Sequence, residues 1–158
     1  MINIIIKKAN FSNDRKERYS LTRIWNFEKP LFLFIMFNPS NADDTIDDPT
    51  IRRLIDFTEK FEYGGFKVVN LFTKISPNPK NVNISKVLKI KNLKVIKKMV
   101  NSVDEIVYAW GNKFHEPLEF KKLVPNPKCF GLNIDGSPKH PLYLSSNTKL
   151  VDFRQNKV

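Results

Sequence analysis

The sequence is poor in the residues that build cross-links and metal centres. Its 158 residues include one cysteine, Cys129, and two histidines, His115 and His140. A single thiol excludes an internal disulfide and any zinc site built on four cysteines. The chain also lacks the glycine-rich motifs with which P-loop and dinucleotide enzymes bind phosphate. We therefore expect no metal and no organic cofactor.

Long hydrophobic runs are missing as well. The longest, LFLFIMF at 31–37, is far shorter than the roughly 20 residues that cross a bilayer. The apolar stretch within residues 1–10 is too short for a secretory signal. The chain is nonetheless 41% hydrophobic, which is enough to build a core. The composition thus predicts one globular, cytoplasmic domain over residues 1–158, with no membrane contact.

Negative charge is scarce relative to positive charge. The chain has 27 Lys and Arg residues against 16 Asp and Glu, which gives a formal net charge of +11. Such an excess favours a polyanionic partner, and DNA is the first candidate. A compositional bias towards Lys, Asn and Ile is the alternative explanation, since only residues 86–98 form a dense basic segment. Whether the DNA is single- or double-stranded, and whether the protein oligomerises, stays open.

Apolar runs and helical patterns alternate along the chain. Five segments have the composition of strands: 17–25, 31–37, 66–72, 106–110 and 128–133. In the first of them, alternation puts Tyr19, Leu21, Arg23 and Trp25 on one face. The strand at 31–37 is apolar throughout, which is typical of a central strand covered on both faces.

Three helices are predicted between these strands. The first runs from Pro49 to about Phe61, with Asp48 as its N-cap. A second, amphipathic helix covers 84–101, and a short one follows His115. Strands that alternate with helices are typical of α/β folds. The pattern predicts three layers, α/β/α, around a mainly parallel sheet of about four strands, with an N-terminal strand or hairpin added.

The carboxyl ends of parallel strands meet at one edge of a sheet, where α/β proteins bind ligands. The candidate substrate-binding residues at these ends are Asn38, Pro39, Ser40, Asn70, Phe72 and Trp110, and His140 lies in a later loop. An Asn amide can orient water or read the edge of a base, and a His can donate to a developing anion. Each also has an ordinary explanation, as an Asx-turn at Asn38, a buried cap at Asn70 and a surface loop at His140.

Four carboxylates lie between the strand at 31–37 and the first helix: Asp43, Asp44, Asp47 and Asp48. Clustered carboxylates suit Mg²⁺ or Ca²⁺, but the spacing and the glycine of an EF-hand loop are missing. We favour capping for Asp48 and pairing with Arg52 or Arg53 for Asp47. The remaining two are expected in solvent.

Six ordered segments resemble a known family. They are RYSLTRIW (18–25), FNPSNAD (37–43), DDPTIRR (47–53), YGGFKVVNLF (63–72), YAWG (108–111) and DGSPKHPLYL (135–144). The chain resembles the bacterial and phage proteins catalogued as domain of unknown function sixteen-forty-three over almost its whole length. This resemblance implies no settled activity.

The order of the motifs is also similar to that of the uracil-DNA glycosylase superfamily. There, a first strand ends in Gly-x-Asn-Pro or Gly-x-Asp-Pro, a second ends in a base-reading Asn, and a late loop carries His-Pro-Ser. The resemblance implies the fold of that superfamily. It also implies that Asn38 orients water, Asn70 reads the flipped base and His140 stabilises the departing base. Met36 stands where the superfamily has glycine, and Leu142 where it has serine.

The resemblance therefore implies a DNA glycosylase-like enzyme, which flips a damaged or modified base and hydrolyses its N-glycosidic bond with water. Contacts with the DNA backbone are expected from Arg52, Arg53, Lys74 and Lys139. Two alternatives stay open. One is a nucleic-acid or nucleotide-binding module without catalysis, and the other is a metal-dependent hydrolase that uses the acidic loop at 43–48.

Overall fold

The computed structural model describes residues 2–78, 80, 89–112 and 114–155. Its strands are β1 (Ile6–Phe11), β2 (Arg18–Ile24), β3 (Leu31–Met36), β4 (Gly65–Asn70), β5 (Glu105–Tyr108), β6 (Lys128–Cys129) and β7 (Val151–Asp152). Its helices are α1 (Pro49–Lys60), α2 (Ile90–Val100) and α3 (Phe120–Leu123). The first five positions of the helix predicted over 84–101 lie outside the described residues. In the part of the chain described, none of the helices has the length and apolar character needed to cross a membrane.

The seven strands form one mixed sheet of order β1-β2-β4-β3-β5-β6-β7. The pairs β3–β4, β3–β5 and β5–β6 are parallel. The pairs β1–β2, β2–β4 and β6–β7 are antiparallel. The expectation of a three-layer α/β/α fold around a mainly parallel sheet of about four strands is therefore wrong.

Long-range pairing explains this error. β2 reads as a strand in the sequence, but nothing local indicates that it pairs antiparallel with β4, as it does with Leu21 opposite Val68. β6 and β7 have two residues each, which is too short for any periodicity to be recognised. The three described helices are also short, with 12, 11 and 4 residues. Within the described residues, the sheet thus holds more strands, and the helices fewer residues, than the alternating pattern predicts.

β3 lies at the centre of the hydrophobic core because both of its faces are covered. Phe34 belongs to a buried cluster that includes Phe57 of α1. Ile35, its neighbour in the chain, belongs to a second cluster that includes Ile96 of α2. A strand covered on both faces needs no alternation of polar and apolar residues, which explains the uninterrupted apolar run.

α1 begins as predicted. Asp48 has an extended backbone, and its Oδ1 accepts a hydrogen bond from the Ile51 N–H at 2.9 Å. Pro49 occupies the first turn, where its missing N–H leaves no hydrogen bond unmade. The helix then buries Ile51, Leu54 and Phe57. The N-cap prediction is confirmed.

A buried arginine holds the acidic segment that precedes α1. The side chain of Arg23, on β2, is fully buried, and its Nε donates to Oδ1 of Asp47 at 2.8 Å. Its Nη2 donates to the carbonyl oxygens of Asp43 and Ile46. Its Nη1 donates to the carbonyl oxygen of Thr22 at 3.0 Å. Each nitrogen of this guanidinium is therefore satisfied inside the protein.

The sequence led us to expect that the Asp47 carboxylate pairs with Arg52 or Arg53 of α1, and this expectation is wrong. Its partners are Arg23 and, at 3.4 Å, Lys7. Arg52 reaches the same residue through the backbone, since its Nη1 donates to the Asp47 carbonyl oxygen at 2.6 Å. β2 and the acidic segment meet only through the folded sheet, so this pairing has no local signal in the sequence.

We expect Arg23→Met to lower the free energy of unfolding by about 3–5 kcal/mol, because a partly buried carboxylate and three carbonyl oxygens lose their donor. Lys7→Met removes the partly exposed partner of the same carboxylate and is expected to cost less than about 1 kcal/mol. Urea denaturation measures both. Equal losses in the two variants would contradict a structural role for the buried pair.

Candidate functional site

A cleft of about 1190 Å³ opens where β3, β4 and β5 end. The two parallel pairings of β3 bring these three carboxyl ends together. The loop at 135–144 contributes a further side. Six of the predicted site residues line the cleft: Asn38, Ser40, Asn70, Trp110, Lys139 and His140.

The other predicted site residues lie outside this lining. Pro39 and Phe72 are buried, and Lys74 is exposed. Arg52 and Arg53, on α1, donate hydrogen bonds to backbone carbonyl oxygens elsewhere in the protein. Each of these two guanidinium groups is thus partly engaged within the chain.

Aromatic rings form one wall of the cleft. Phe37, Trp110 and Phe114 belong to its lining. Phe72 supports them, with its ring centroid 4.9 Å from that of Phe37 and 5.5 Å from that of Phe114. Nε1 of Trp110 donates to the Phe114 carbonyl oxygen at 2.8 Å, which fixes the indole. Rigid aromatic faces of this kind suit the stacking of a planar ligand.

Asn38, two residues after β3, is fastened to the loop that follows β4. Its Nδ2 donates to the carbonyl oxygen of Ser76 at 2.8 Å and to that of Pro39 at 3.1 Å. The Ser76 N–H in turn donates to the Pro39 carbonyl oxygen at 2.9 Å. Both amide hydrogens of Asn38 are therefore used, and Oδ1 remains as an acceptor for which the described residues supply no donor.

Asn70 ends β4 with a side chain that is 1% exposed. Neither its Nδ2 nor its Oδ1 has a hydrogen-bond partner in the part of the chain that is described. Its side chain follows Phe66 and Val68 in strand alternation, and both of these pack in the cluster on the α1 side. A buried amide without a partner destabilises a protein by about 1–3 kcal/mol. Such a group at the floor of a cleft is typical of a binding site.

His140 lies beside Gly111, three residues after the end of β5. A Cβ on Gly111 would lie 3.5 Å from the His140 Cβ, which is an ordinary contact, so the φ of +87° is what favours glycine there. Nδ1 of His140 accepts a hydrogen bond from the Leu142 N–H at 3.1 Å, so the neutral ring carries its proton on Nε2. Burial lowers the pKa of His140 below its ordinary value of 6.5, and the Asp48 carboxylate opposes this shift. At neutral pH the ring is an uncharged hydrogen-bond donor.

Two charged residues of the cleft were not among the predicted site residues. Arg18, at the start of β2, is 3% exposed and lines the cleft. Asp48 lines it as well, in addition to capping α1. In the sequence Arg18 stands out as the first residue of the segment RYSLTRIW and as a charge at the start of a strand-like run. Lys80 joins Lys139 as a second lysine in the lining.

The acidic segment does not gather its carboxylates into a metal site. Oδ1 of Asp43 accepts hydrogen bonds from the N–H groups of Thr45 and Ile46, and Asp44 is exposed. Asp47 is paired with Arg23. Within the described residues there is no group of three or more His, Cys, Asp or Glu side chains that could hold a metal ion.

Comparison with known proteins gives one match. The model of a family described as Protein of unknown function (DUF1643) matches residues 18–142. The matched range begins at Arg18 and includes Asn38, Asn70 and His140. No curated protein and no solved structure matches the chain.

We expect Asn70→Leu to leave the free energy of unfolding unchanged or to raise it by about 1 kcal/mol, because the buried amide has no partner to lose. Asn92→Leu is the matched control, since Nδ2 of Asn92 donates to the carbonyl oxygens of Asn70 and Leu71. That change is expected to lower the free energy of unfolding by about 1–2 kcal/mol. Urea denaturation compares the two. An equal loss in Asn70→Leu would make Asn70 a structural residue.

We expect the pKa of His140, followed by NMR of its ring protons, to lie below 6.5. A lowered folded-state pKa means that the unfolded chain binds the proton more readily. Stability should therefore fall as the pH drops below about 6.5 and level off below the folded-state pKa. Asp48→Asn retains a capping side chain but removes the opposing charge, so it should lower the pKa further. The signal is assigned by its absence in His140→Asn, and a midpoint at or above 6.5 would contradict the buried, neutral ring.

Proposed function

We propose that this chain, which belongs to the family Protein of unknown function (DUF1643), is a cytoplasmic DNA glycosylase-like enzyme. It flips a damaged or modified base into the cleft and hydrolyses the N-glycosidic bond of that base with water. The observation that carries the proposal is the buried amide of Asn70, which lines the cleft and has no partner among the described residues.

The Asn70 side chain suits the edge of a nucleobase. Its Nδ2 donates and its Oδ1 accepts in one plane, so together they complement a ring carbonyl beside a ring N–H. A base bound there satisfies both atoms and removes the destabilisation of leaving them unpaired. The aromatic wall formed by Phe37, Trp110 and Phe114 offers a stacking surface for the same ligand.

The reaction is a displacement at C1′ of the sugar. Water held by Oδ1 of Asn38 forms the new C1′–O bond, while the C1′–N bond breaks and its electron pair leaves with the base. The proton released by the water passes to solvent or to the departing base. An amide cannot take up this proton at neutral pH, so Asn38 orients the water and does not act as a base.

The departing base carries negative charge, and the cleft supplies donors for it. The Nε2–H of His140 and the Nδ2 of Asn70 are the two that the geometry favours. A well-placed donor to a developing anion contributes about 3–4 kcal/mol to catalysis. No metal takes part in this scheme.

The charge of the chain supports DNA as the substrate. The formal net charge is +11, and Lys80 and Lys139 line the cleft, where a backbone phosphate can reach them. The order of the motifs, similar to that of the uracil-DNA glycosylase superfamily, supports the same assignment of roles to Asn38, Asn70 and His140. A binding module without catalysis would use the same cleft and would differ in turnover alone.

Base release tests the proposal. Purified protein in EDTA is incubated with duplex and single-stranded DNA that carries uracil, hypoxanthine, or hydroxymethylated or glucosylated cytosine, and abasic sites are scored after alkaline cleavage. We expect release from at least one substrate, and a loss of about 10²–10³-fold in Asn38→Ala and in His140→Ala. The exposed residues Asn13 and His115 supply the matched controls, Asn13→Ala and His115→Ala, which should retain full activity.

Other outcomes of the same experiment would support one of the two alternative functions. Binding of DNA without any abasic site would establish the binding module. Activity that appears only with Mg²⁺ or Mn²⁺ and is lost in Asp44→Ala would establish the metal-dependent hydrolase. Equal activity in Asn38→Ala and the wild type would refute the role of Asn38 even if bases were released.

A further inference from the structure

β2 carries two buried arginines with different surroundings. Arg23 is 0% exposed, and all three of its nitrogens donate hydrogen bonds inside the protein, one of them to the Asp47 carboxylate. Arg18 is 3% exposed, and within the described residues its guanidinium makes one hydrogen bond, from Nη1 to the Ala42 carbonyl oxygen at 2.9 Å. Its Nε is buried without any partner in the described chain. No described carboxylate lies within salt-bridge distance of Arg18.

A bulge turns Arg18 towards the cleft. The register between β1 and β2 shifts between Asn10 and Phe11, so that Asn10 faces Ser20 and Phe11 faces Arg18. Tyr19 is left unmatched and points to the α2 side, where Lys91 lies 4.7 Å from the centroid of its ring. Arg18 is thereby directed to the α1 side and into the lining of the cleft.

The guanidinium of Arg18 remains charged in this position. Burial lowers its pKa to about 10, Asp48 and Asp43 oppose that shift, and the like charge of Arg23 adds to it. A pKa of about 10 keeps the group protonated at neutral pH. A buried cation without an ion pair is costly, so the position favours a ligand that brings a negative charge.

The burial of the Arg18 side chain limits which part of a ligand can carry the negative charge that binds it. In the proposed function the phosphates of DNA contact the more exposed lysines of the lining, Lys80 and Lys139. A residue that is 3% exposed is reached only by a group that enters the cleft. In the proposed function the group that enters is the flipped base.

We propose that Arg18 binds an acidic group on the base itself, so that the cleft selects negatively charged nucleobases over neutral ones. The charge is either a carboxylate substituent on a pyrimidine or the ionised ring imide of a dioxo purine such as xanthine. Arg18 presents its Nε and Nη2 as a fork to two acceptors, while Asn70 reads the adjoining edge of the ring. The nucleobase rests on the proposed function, whereas the negative charge follows from Arg18 alone.

Binding of free bases tests this without any turnover. Isothermal titration calorimetry in EDTA compares uracil, 5-carboxyuracil, xanthine and inorganic phosphate. We expect the wild type to bind at least one of the two acidic bases about tenfold or more tightly than uracil, because charge-assisted hydrogen bonds are stronger than those between neutral groups. Which of the two shows the preference identifies the source of the charge.

Three variants locate the effect. Arg18→Met should abolish the preference, and Arg18→Lys, which keeps the charge but loses the fork, should retain part of it. Arg15→Met removes one charge from an exposed arginine outside the cleft and should leave the preference intact. Thermal unfolding shows whether a loss of binding reflects a loss of folding. The melting temperature of Arg18→Met should be no lower than that of the wild type, because the lost hydrogen bond is offset by the removal of an unpaired buried charge.

Four results would overturn the inference. The first is equal affinity of the wild type for neutral and acidic bases, and the second is a preference for acidic bases that persists in Arg18→Met. The third is an affinity for inorganic phosphate that falls as much in Arg18→Met as the affinity for the acidic base does. The fourth is a large loss of thermal stability in both Arg18 variants. The proposed function fails separately. Arg18-dependent binding of an acidic base without base release from DNA would refute the glycosylase and leave the role of Arg18 intact.

Discussion

The candidate cleft depends on the buried guanidinium of Arg23, which ties β2 to the segment before α1. Its bonds to Asp43, Ile46 and Asp47 fold the acidic stretch back over the sheet. Asp48, the next residue, is thereby positioned to cap α1 and to line the cleft. The carboxylates that stand out in the sequence therefore serve largely as internal partners, which is why clustered acids in a sequence do not by themselves indicate a metal site.

Unsatisfied polar atoms concentrate at the cleft. Five buried side-chain nitrogen or oxygen atoms lack a partner in the described chain, and three of them belong to Arg18 and Asn70. The other two are Oγ1 of Thr58 and Oδ1 of Asn92, while Nδ2 of Asn92 and the whole guanidinium of Arg23, on the same strand as Arg18, are bonded. Buried groups left unpaired lower stability, and proteins tend to retain them where a ligand completes the set. The energetic pattern and the shape of the cleft thus point to the same place.

Local signals predicted the parts of the fold that local interactions build. The N-cap of α1 was read correctly because Asp48 and Pro49 act on the next turn of the same helix. The strand ends that carry Asn38 and Asn70 were recognised from apolar runs that stop at a polar residue. The parallel pairing of β3 with β4 then brings both residues into one lining.

The features of the fold and the site that could not be predicted from the sequence depend on contacts between distant segments. The pairing of Asp47 with Arg23, the antiparallel entry of β2 beside β4, and the two-residue strands β6 and β7 all form between distant segments. The orientation of Arg18 could not be predicted either. Strict alternation puts Tyr19 on the same face as Arg23 and Arg18 on the opposite face. The bulge exchanges the faces of Tyr19 and Arg18. An insertion of one residue in a strand changes which side chain meets the ligand, and it has no periodic signature of its own.

The donors and acceptors of the cleft limit its chemistry. Asn38 offers an oxygen that orients water but cannot accept its proton at neutral pH, and His140 is neutral and donates through Nε2. The Asp48 carboxylate is held by the N-terminus of α1 through Oδ1. In the reaction we propose, a weakly activated water requires a leaving group that bears negative charge well, and His140 and Asn70 supply the donors for it. Arg18 has a different part in the proposal: its buried charge makes the empty cleft unfavourable and favours the binding of a base that already carries a negative charge.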